Sequence, residues 1–483
     1  MEESLLAVWE QLRPRFEDGR TFDRLRRLCF GLLASSERHT ITTMMKNSGR
    51  ADHDWSADYR VFSRRKWDLR EVFGRAILDL ALDLDPLGGG PVVVPLDDTH
   101  LRKCGTKIPG VTYKRDPMSP KFRPNFVRAQ RFTQATVVIP FGSGATPCRS
   151  FPIAFEHAPA APKPPRNATE EQRAQYRIAK KQTNLSVYGV HVISHVREDL
   201  DLGPSARRRL LVAVDGGYTN KTVLRDLPPR TDLIGRVRRD AVLHHLPPDQ
   251  HSGLGRKPSY GALAPTPEQL RQDETVAWKP IRVFGAGAEH DCKIKELTPV
   301  LWRKAGADRP LRLIVIAPLG YRLTKGGRIL YRQPAYLLST DLNLPLEELV
   351  QAYFRRWEIE VNHRDEKQLI GVGQAQVRSA QSAARVPAFA VACYSLLLIA
   401  AAHAYGLSAA SPISDLPKWQ SYATKQVRLP AEQITAAFRA RWLGKTRHAD
   451  LPNFSHFAAN LASATKSPKS SFSTATAIHY ASN

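Results

Sequence analysis

The stretch YFRRWEIEVNHRDEK, residues 353–367, contains neither Gly nor Pro and follows LEELV, residues 346–350, which has helical periodicity. We therefore expect one long helix across both segments. At 100° per residue, four polar side chains of this helix fall within an arc of about 60°: Tyr353, Arg356, Glu360 and Lys367. The adjacent apolar stripe comprises Phe354, Trp357 and Val361. One helix face is thus predicted to pack on a core, while its neighbour presents a carboxylate beside a phenol and two cations.

The polar face has two interpretations when the helix is considered alone. A single carboxylate among cations suits a site for a metal ion and a phosphate backbone. Alternatively, the face is solvated and its charges pair within the helix, which is what charge runs usually mean. The rest of the chain shifts the balance between these interpretations.

Composition limits the class of protein. A chain of 483 residues, 42% of them hydrophobic, is globular and long enough for two to four domains. The net charge is +25, from 71 Lys and Arg against 46 Asp and Glu. This balance predicts a polyanionic partner, of which nucleic acid is the commonest. An anionic membrane surface and a ribosome-like assembly are the alternatives.

The sequence favours a cytoplasmic protein without a membrane partner. Five scattered cysteines form no CxxC pair, so no zinc site or disulfide framework is readable. The first residues, MEESLL, lack the basic region and apolar core of a signal peptide. Residues 386–402 approach the length of a membrane span, but Pro387, Tyr394 and Ser395 interrupt them. We expect a buried helix there.

Four regions are predicted along the chain. Residues 1–85 have helical, Arg-rich patterns with a break at 47–50, which suit a helical DNA-binding domain. A helical cap with a solvated basic face is the alternative. An α/β domain is expected from residues 90–241 and 341–405. Its predicted strands are 92–96, 132–141, 151–155, 210–214 and 232–237, and Thr169 begins a capping box before a basic helix.

The third region, residues 242–340, is predicted to be a β-rich insertion. It is rich in His, Pro and Gly, and strand-like runs occur at 281–284, 311–316 and 329–338. The fourth region, residues 406–483, ends in a segment rich in Ser, Thr and Ala from residue 463. We expect that segment to be a loose tail.

Acidic residues follow two of the buried strands. Asp97-Asp98-Thr99 is expected to end the first strand, and Asp215 follows the strand at residues 210–214. Glu360 on the later helix would be the third acid. Carboxylates placed together repel one another, and divalent cations remove that repulsion. Two Mg²⁺ ions about 3.5–4 Å apart can activate a water or 3′-hydroxyl and stabilise the leaving oxygen in phosphodiester displacement.

The chain resembles the DDE transposases of bacterial insertion sequences, in the branch marked by a Tyr-Arg-Glu-Lys signature. The signature separates its residues by two, three and six others, and it is matched by Tyr353, Arg356, Glu360 and Lys367. The family's Asp-x-Thr/Ser motif is matched at residues 97–99. Its Asp-x-x-Tyr motif is matched at residues 215–218. The resemblance covers roughly residues 90–405.

The resemblance implies an α/β, ribonuclease-H-like mixed sheet flanked by helices, with a β-rich insertion and a helical N-terminal domain. It implies catalysis by Asp97, Asp215 and Glu360, which would hold two Mg²⁺ ions, for which Mn²⁺ can substitute. DNA contacts are expected from Tyr353, Arg356 and Lys367. The implied activity cuts double-stranded DNA at terminal inverted repeats and joins these ends to a target. We expect a homodimer in the DNA complex, in the bacterial cytoplasm and on the nucleoid when bound to DNA.

Several points stay open at this stage. A non-catalytic, sequence-specific DNA-binding protein, such as a repressor or a decayed transposase, would share the basic charge. A ribonuclease-H-like, structure-specific nuclease would share the fold. The Asp-x-Thr register selects Asp97 as the first acid, whereas an Asp-Thr reading would select Asp98. Arg236, Arg238, Arg239 and Asp240 either line a DNA channel or form a solvated basic edge. His100, Cys104 and His363 are expected in packing or DNA contacts, because soft ligands suit zinc better than Mg²⁺. Some members of the family hold a flipped base with a Trp of the insertion; Trp278 and Trp302 are the candidates here, and we expect each in the core.

Overall fold

A computed structural model of the protein describes residues 1–449 with several gaps: 65–66, 117–118, 121, 249–255, 304, 306–308, 323, 325 and 410–426. The chain divides into two compact units. We call residues 1–80, 100–130 and 362 onward the helical unit, and residues 81–99 and 131–361 the sheet unit. The boundaries of the four predicted regions stay a prediction, and the predicted loose tail from residue 463 lies outside the described residues.

The described chain contains both helices and strands, in runs: helices begin and end it, and most strands lie between residues 92 and 339. The helices are α1 (Glu2–Leu12), α2 (Gly19–Leu33), α3 (Ile41–Asn47), α4 (Ser56–Ser63), α5 (Arg75–Leu82), α6 (Glu170–Gln182), α7 (Leu185–Asp201), α8 (Lys221–Arg225), α9 (Pro267–Gln272), α10 (Leu346–Arg355), α11 (Glu358–Gln368), α12 (Ala380–Tyr405) and α13 (Ala431–Ala449). The strands are β1 (Val92–Arg102), β2 (Thr112–Arg115), β3 (Phe126–Pro140), β4 (Cys148–His157), β5 (Leu210–Val214), β6 (Thr231–Arg236), β7 (Lys279–Gly285), β8 (Ala288–Val300), β9 (Leu311–Ile316), β10 (Gly320–Tyr321), β11 (Leu330–Tyr331) and β12 (Ala335–Ser339).

Among the described residues, ten strands form one mixed sheet in the order β2-β3-β1-β5-β6-β12-β9-β8-β7, with β4 paired to β3. Strands β1, β5 and β6 are parallel neighbours, and β6, β12, β9, β8 and β7 pair antiparallel. With its flanking and N-terminal helices, this α/β sheet confirms the predicted fold class and is compatible with a ribonuclease-H-like fold.

The strands of the predicted insertion add to the central sheet. Strands β7 and β9 lie where the sequence predicted strands, and β8 is an addition. The single strand expected at residues 329–338 is wrong, because β11 and β12 replace it. Strand β12 pairs with both β6 and β9, so it joins the inserted strands to the parallel ones. The apolar side chains of this region therefore enter the core of the sheet unit.

Helix α10 packs its apolar stripe on one face of that sheet. Leu346, Leu349 and Val350 are buried in one cluster with strand residues such as Ile234 and Val283. Their i, i+3, i+4 spacing is that of one helix face. Full burial of such a side chain contributes about 1.5–3 kcal/mol. This packing fixes the helix that precedes Glu360.

The prediction of one long helix from residue 346 to 367 is wrong. Helix α10 ends at Arg355, and α11 begins at Glu358. Across the junction the backbone N–H groups of Arg356 and Trp357 donate to carbonyls three residues earlier, not four. The turn is thereby tightened, and Trp357, expected in the apolar stripe, is exposed. The break contains no Gly or Pro, and Arg356 at the junction contacts Asp97 of β1.

Strand β1 also extends beyond its predicted end. It continues through Asp97, Asp98 and Thr99 to Arg102, beside its neighbour β3. The parallel partner β5 ends at Val214, which pairs with Leu96. Asp97 and Asp98 therefore lie beyond the pairing with β5, while β3 is the neighbour of β1 on the other side. Polar side chains are tolerated there because the strand is bounded by the sheet on one side alone.

The helical unit is organised around α12. This helix is long and apolar enough to cross a membrane by composition, but 94% of its apolar window is buried inside the protein. The prediction of a buried helix is therefore confirmed. Trp9, Phe22, Phe73 and Phe389 meet edge to face in its core. Such pairs add roughly 0.5–1.5 kcal/mol each beyond their burial.

Two arginines of the N-terminal helices form internal ion pairs. Arg24 and Arg27 donate to the buried carboxylate of Asp58 at 3.0 and 2.8 Å. The predicted helices of residues 1–85 are present, but these two cations are directed inward. The DNA-binding role of this region stays a prediction.

Gly235 of β6 should be intolerant of a methyl group. A Cβ there would overlap Thr219 Oγ1 and lie 2.5 Å from Val214 Cγ2. We expect Gly235→Ala to lower the free energy of unfolding by about 1–3 kcal/mol, the usual effect of overpacking. Thermal unfolding followed by circular dichroism measures this.

Gly89→Ala is the matched control. An added methyl there lies 3.7 Å from the Leu87 carbonyl oxygen, an ordinary contact. This variant should be neutral or up to about 1 kcal/mol more stable, because Ala restricts the unfolded chain. Equal stability of both variants would contradict the close packing at Gly235.

Candidate active site

Strand register brings Asp97 and Asp215 together. Leu96 of β1 is the parallel partner of Val214 of β5, and one aspartate follows each residue. Because the strands run in the same direction, both carboxylates leave the sheet at the same edge. Val214 is in turn paired with Gly235 of β6, so Arg236 follows at that edge too.

The junction between α10 and α11 supplies the third acid and a cation. Arg356 Nη1 lies 3.4 Å from Asp97 Oδ2 and 3.8 Å from Glu360 Oε1. The second of these distances joins residues four apart in the chain. The side chains of Arg356 and Asp97 are 14% exposed, and that of Glu360 is 40% exposed. The guanidinium thus lies between two carboxylates in a partly dehydrated setting.

All three predicted catalytic acids line one cavity of about 660 Å³. The lining residues are Asp97, Asp215, Gly216, Thr219, Arg236, Val237, Arg238, Asp240, Ala241, Val242, Trp302, Arg356 and Glu360. The structure therefore assembles residues more than 250 positions apart in the sequence into one site. Its lining combines three arginines, Arg236, Arg238 and Arg356, with four acids.

The pKa of the Asp97 carboxyl group reflects its burial and its acidic neighbours. Burial raises its pKa to about 7, and the nearby charges of Asp215 and Glu360 act in the same direction. The backbone N–H of Asp98 and the Arg356 guanidinium oppose the increase. A negative charge at Asp97 is thus disfavoured unless more positive charge enters the cavity.

The Asp215 turn is held by its own hydrogen bonds. The Gly217 N–H donates to Asp215 Oδ1 at 2.7 Å, and Thr219 Oγ1 donates to the Asp215 carbonyl oxygen at 2.9 Å. Tyr218 of the Asp-x-x-Tyr motif is buried, and burial raises the pKa of its hydroxyl. Its ring packs so closely on Gly189 that a Cβ there would lie 2.6 Å from it. The tyrosine thus anchors the turn in the core.

Geometry distinguishes the two adjacent aspartates. Asp97 lines the cavity, whereas Asp98 is absent from the described lining residues. The Asp98 N–H donates to Asp97 Oδ1 at 2.8 Å and orients that carboxylate. Neighbours on a strand point to opposite faces, as expected.

The residues predicted to contact DNA lie in different settings. Arg356 is in the cavity. Tyr353 is partly buried against the core beneath α10, and burial raises the pKa of its hydroxyl. Lys367 is exposed in the last turn of α11, within the helical unit. Their DNA contacts stay predictions.

The structure places several residues for which the sequence predicted alternative roles. The cavity is lined by Arg236, Arg238 and Asp240 among others. This position favours a role in a DNA channel over a solvated basic edge. Trp302 was expected in the core, but it also lines the cavity while packing partly against the core. The Lys295 ammonium lies 4.6 Å from the centroid of the Trp278 ring, in a cation–π contact. Thr219 was not singled out at all, although its position one residue after the Asp-x-x-Tyr motif was a usable signal.

The donor set fits a hard divalent cation. Carboxylate oxygens are the ligands that Mg²⁺ prefers, and the strain at Asp97 is what a cation would relieve. No group of three His, Cys, Asp or Glu side chains among the described residues is arranged to hold a metal ion as it stands. Arg356 lies between the carboxylates instead. His100, Cys104 and His363 belong to the helical unit.

A family model described as a DDE superfamily endonuclease matches residues 11–305. The chain therefore belongs to the DDE superfamily of endonucleases, a group that generally uses divalent metal ions and acts on DNA. The match includes Asp97 and Asp215, and Glu360 lies beyond it. No curated protein matches the chain. The resemblance to DDE transposases is confirmed at the level of the family, and the Tyr-Arg-Glu-Lys branch stays a prediction.

Removal of the Arg356 guanidinium should destabilise the metal-free protein. We expect Arg356→Ala in EDTA to lose about 1.5–3 kcal/mol, the usual range for hydrogen bonds to charged groups. Added Mg²⁺ should stabilise this variant more than the wild type, because the ion replaces the missing positive charge. Differential scanning calorimetry measures both effects.

Arg356→Lys is the control, since it keeps the charge but not the planar fork. It should lie between the wild type and Arg356→Ala. An identical Mg²⁺ response in all three proteins would mean that Arg356 does not balance the carboxylates.

Proposed function

We propose that this protein is a DNA transposase that cuts at terminal inverted repeats and joins the ends to target DNA. One observation supports this most directly. Asp97, Asp215 and Glu360, from three separate elements, line one cavity together with three arginines. A chain of the DDE endonuclease family needs such a set of acids for chemistry, whereas a protein that only binds DNA does not.

In this proposal the three carboxylates hold divalent ions. Two Mg²⁺, or Mn²⁺ in their place, would activate a water or 3′-hydroxyl and stabilise the leaving oxygen. Asp97 is oriented for this role by the Asp98 N–H. Asp215 is oriented by its turn, which Thr219 and Gly217 hold. The Glu360 side chain is 40% exposed and that of Asp97 is 14% exposed, so Glu360 can adjust to substrate more readily than Asp97.

The arginines provide the complementary function. In this proposal Arg236 and Arg238, which line the cavity, bind phosphates near the scissile bond, and Arg238 exchanges its ion pair with Asp240 for a phosphate. Arg356 balances Asp97 and Glu360 until metal ions bind. Its guanidinium is then available to a phosphate oxygen, for which its fork geometry is suited. The net charge of +25 draws the DNA into contact.

Transposition, and not simple nuclease activity, is supported by the sequence signature. Tyr353, Arg356, Glu360 and Lys367 have the spacing of the Tyr-Arg-Glu-Lys branch, although the family match ends before them. The partners in this proposal are two transposon ends and a target duplex, bound by a homodimer on bacterial DNA in the cytoplasm. A structure-specific nuclease and a non-catalytic repressor are the outcomes that experiment must separate from it.

The wild type should nick supercoiled plasmid carrying the inverted repeats that flank its gene. Nicking should need Mg²⁺ or Mn²⁺ and fail in EDTA or with Ca²⁺, which prefers looser and higher coordination. Glu360→Gln should reduce the rate by at least about 100-fold, because an amide cannot replace the charge that holds the metal. Gel electrophoresis of the plasmid forms gives the rates.

Joined products with a labelled repeat end and a target plasmid then identify a transposase. Nicking without joined products would indicate a nuclease, and binding without nicking would indicate a repressor or decayed copy. Undiminished cutting in EDTA would exclude the metal mechanism.

Asp97→Asn and Asp98→Asn form a matched pair, since each removes one charge from adjacent residues. Asp97→Asn should abolish nicking, because Asp97 faces the cavity. Asp98→Asn should keep most of the rate. Both variants should bind repeat DNA in EDTA about as well as the wild type, which gel-shift titration checks. The reverse pattern would place Asp98 in the site, and normal cutting by both would refute the proposed set of acids.

A further inference from the structure

The segment from residue 102 to 128 concentrates positive charge. It contains eight Lys and Arg residues and a single acid, Asp116. That acid is buried and accepts a hydrogen bond from Arg102 at 2.8 Å. The exposed charge of the segment is therefore almost wholly positive, which suits a polyanion.

Strands β2 and the start of β3 pair antiparallel within this segment. Tyr113 is opposite Arg128, and Arg115 is opposite Phe126. Directly paired residues share one face of a sheet, and alternate residues return to it. Tyr113, Arg115, Phe126 and Arg128 therefore form one face, which we call the hairpin face. Aromatic rings and guanidinium groups occupy diagonal positions on it.

The two rings of the hairpin face are exposed to solvent. Tyr113 is 72% exposed and Phe126 is 60% exposed, and Phe122 in the connecting segment is 90% exposed. Large aromatic groups at this level of exposure contribute little to folding. Clustered with cations on one surface, they mark a binding site.

The arginines of the face have distinct roles. Arg128 donates to the carbonyl oxygens of Cys104 and Gly105 at 3.3 and 3.1 Å. Its guanidinium also lies 5.9 Å from the centroid of the Tyr113 ring, within the range of a cation–π contact. Arg115 and Arg123 are exposed and can follow a phosphate backbone.

We propose that the hairpin face binds DNA whose bases are unstacked and unpaired, with one base on the Tyr113 ring and another on the Phe126 ring. This inference rests on the proposed function, because a transposase acts at DNA ends, where base pairs open more readily than inside a duplex. Duplex DNA fits the face poorly, since its bases are buried in the stack. Diagonal neighbours across paired strands are about 7–8 Å apart. That spacing is roughly twice the ~3.4 Å rise per nucleotide of a stacked strand.

Three fluorescent probes test the proposal with the full chain in EDTA, where no cutting occurs. They are a 20-nucleotide oligo-dT, an abasic strand of the same length and charge, and a 20-base-pair duplex. The wild type should bind oligo-dT more tightly than the abasic strand. Tyr113→Ala/Phe126→Ala should weaken oligo-dT binding at least about fivefold, from the usual worth of base–aromatic stacking. It should change abasic and duplex binding less than about twofold.

Two control variants separate stacking from charge and folding. Tyr113→Phe/Phe126→Tyr keeps both rings and should bind oligo-dT within about twofold of the wild type. Arg115→Ala should weaken oligo-dT and the abasic strand equally. It should reduce the salt slope of single-strand binding by about 0.7.

Equal loss of oligo-dT and abasic binding in the double alanine variant would overturn the proposal, as would no loss at all. A change in oligomeric state by sedimentation, with DNA binding intact, would assign the face to a protein partner and overturn it too. The nicking assay is a separate measurement. If the wild type did not nick DNA but its binding to oligo-dT still depended on the two rings, the proposed nuclease activity would be refuted. The hairpin face would still be assigned as a site for unpaired bases.

Discussion

The parallel register of β1 with β5 is the constraint from which the site follows. Pairing Leu96 with Val214 places the next residue of each chain segment, Asp97 and Asp215, at one edge of the sheet. The pairing is driven by burial of two short apolar strands, so the core forces two carboxylates together. Their repulsion has to be balanced by a cation, and Arg356 provides it from another element.

That balance explains why the helix breaks where it does. A continuous helix would be favoured by local propensity, since residues 346–367 contain no helix breaker. The turn at Arg356 instead places the guanidinium between Asp97 and Glu360. Packing of α10 on the sheet fixes the first half, and the ion pairs decide the direction of the second. The cavity of about 660 Å³ lies at this junction.

Some of the Lys and Arg side chains have partners inside the protein, and others are exposed. Arg24 and Arg27 pair with Asp58, Arg208 pairs with Asp85, and Lys103 donates to two backbone carbonyls. Such cations stabilise the fold and add little to an external field. By contrast, Arg115 and Arg123 are exposed, and Arg236, Arg238 and Arg356 line the cavity. Net charge alone thus predicted the class of partner but not the surface that would meet it.

The sequence by itself predicted several elements around the site and the three acids that line one cavity. Apolar runs before Asp97 and Asp215 predicted β1 and β5, and a capping box predicted α6, because these signals depend on neighbouring residues alone. The spacing around Glu360 singled out the third acid for the same reason. Tertiary structure decided the break at Arg356, the extension of β1 past Asp97, and the addition of β12 to the central sheet. It also decided that Trp302 faces the cavity. Each of these outcomes depends on partners distant in sequence, whose pairing and charge no local pattern records.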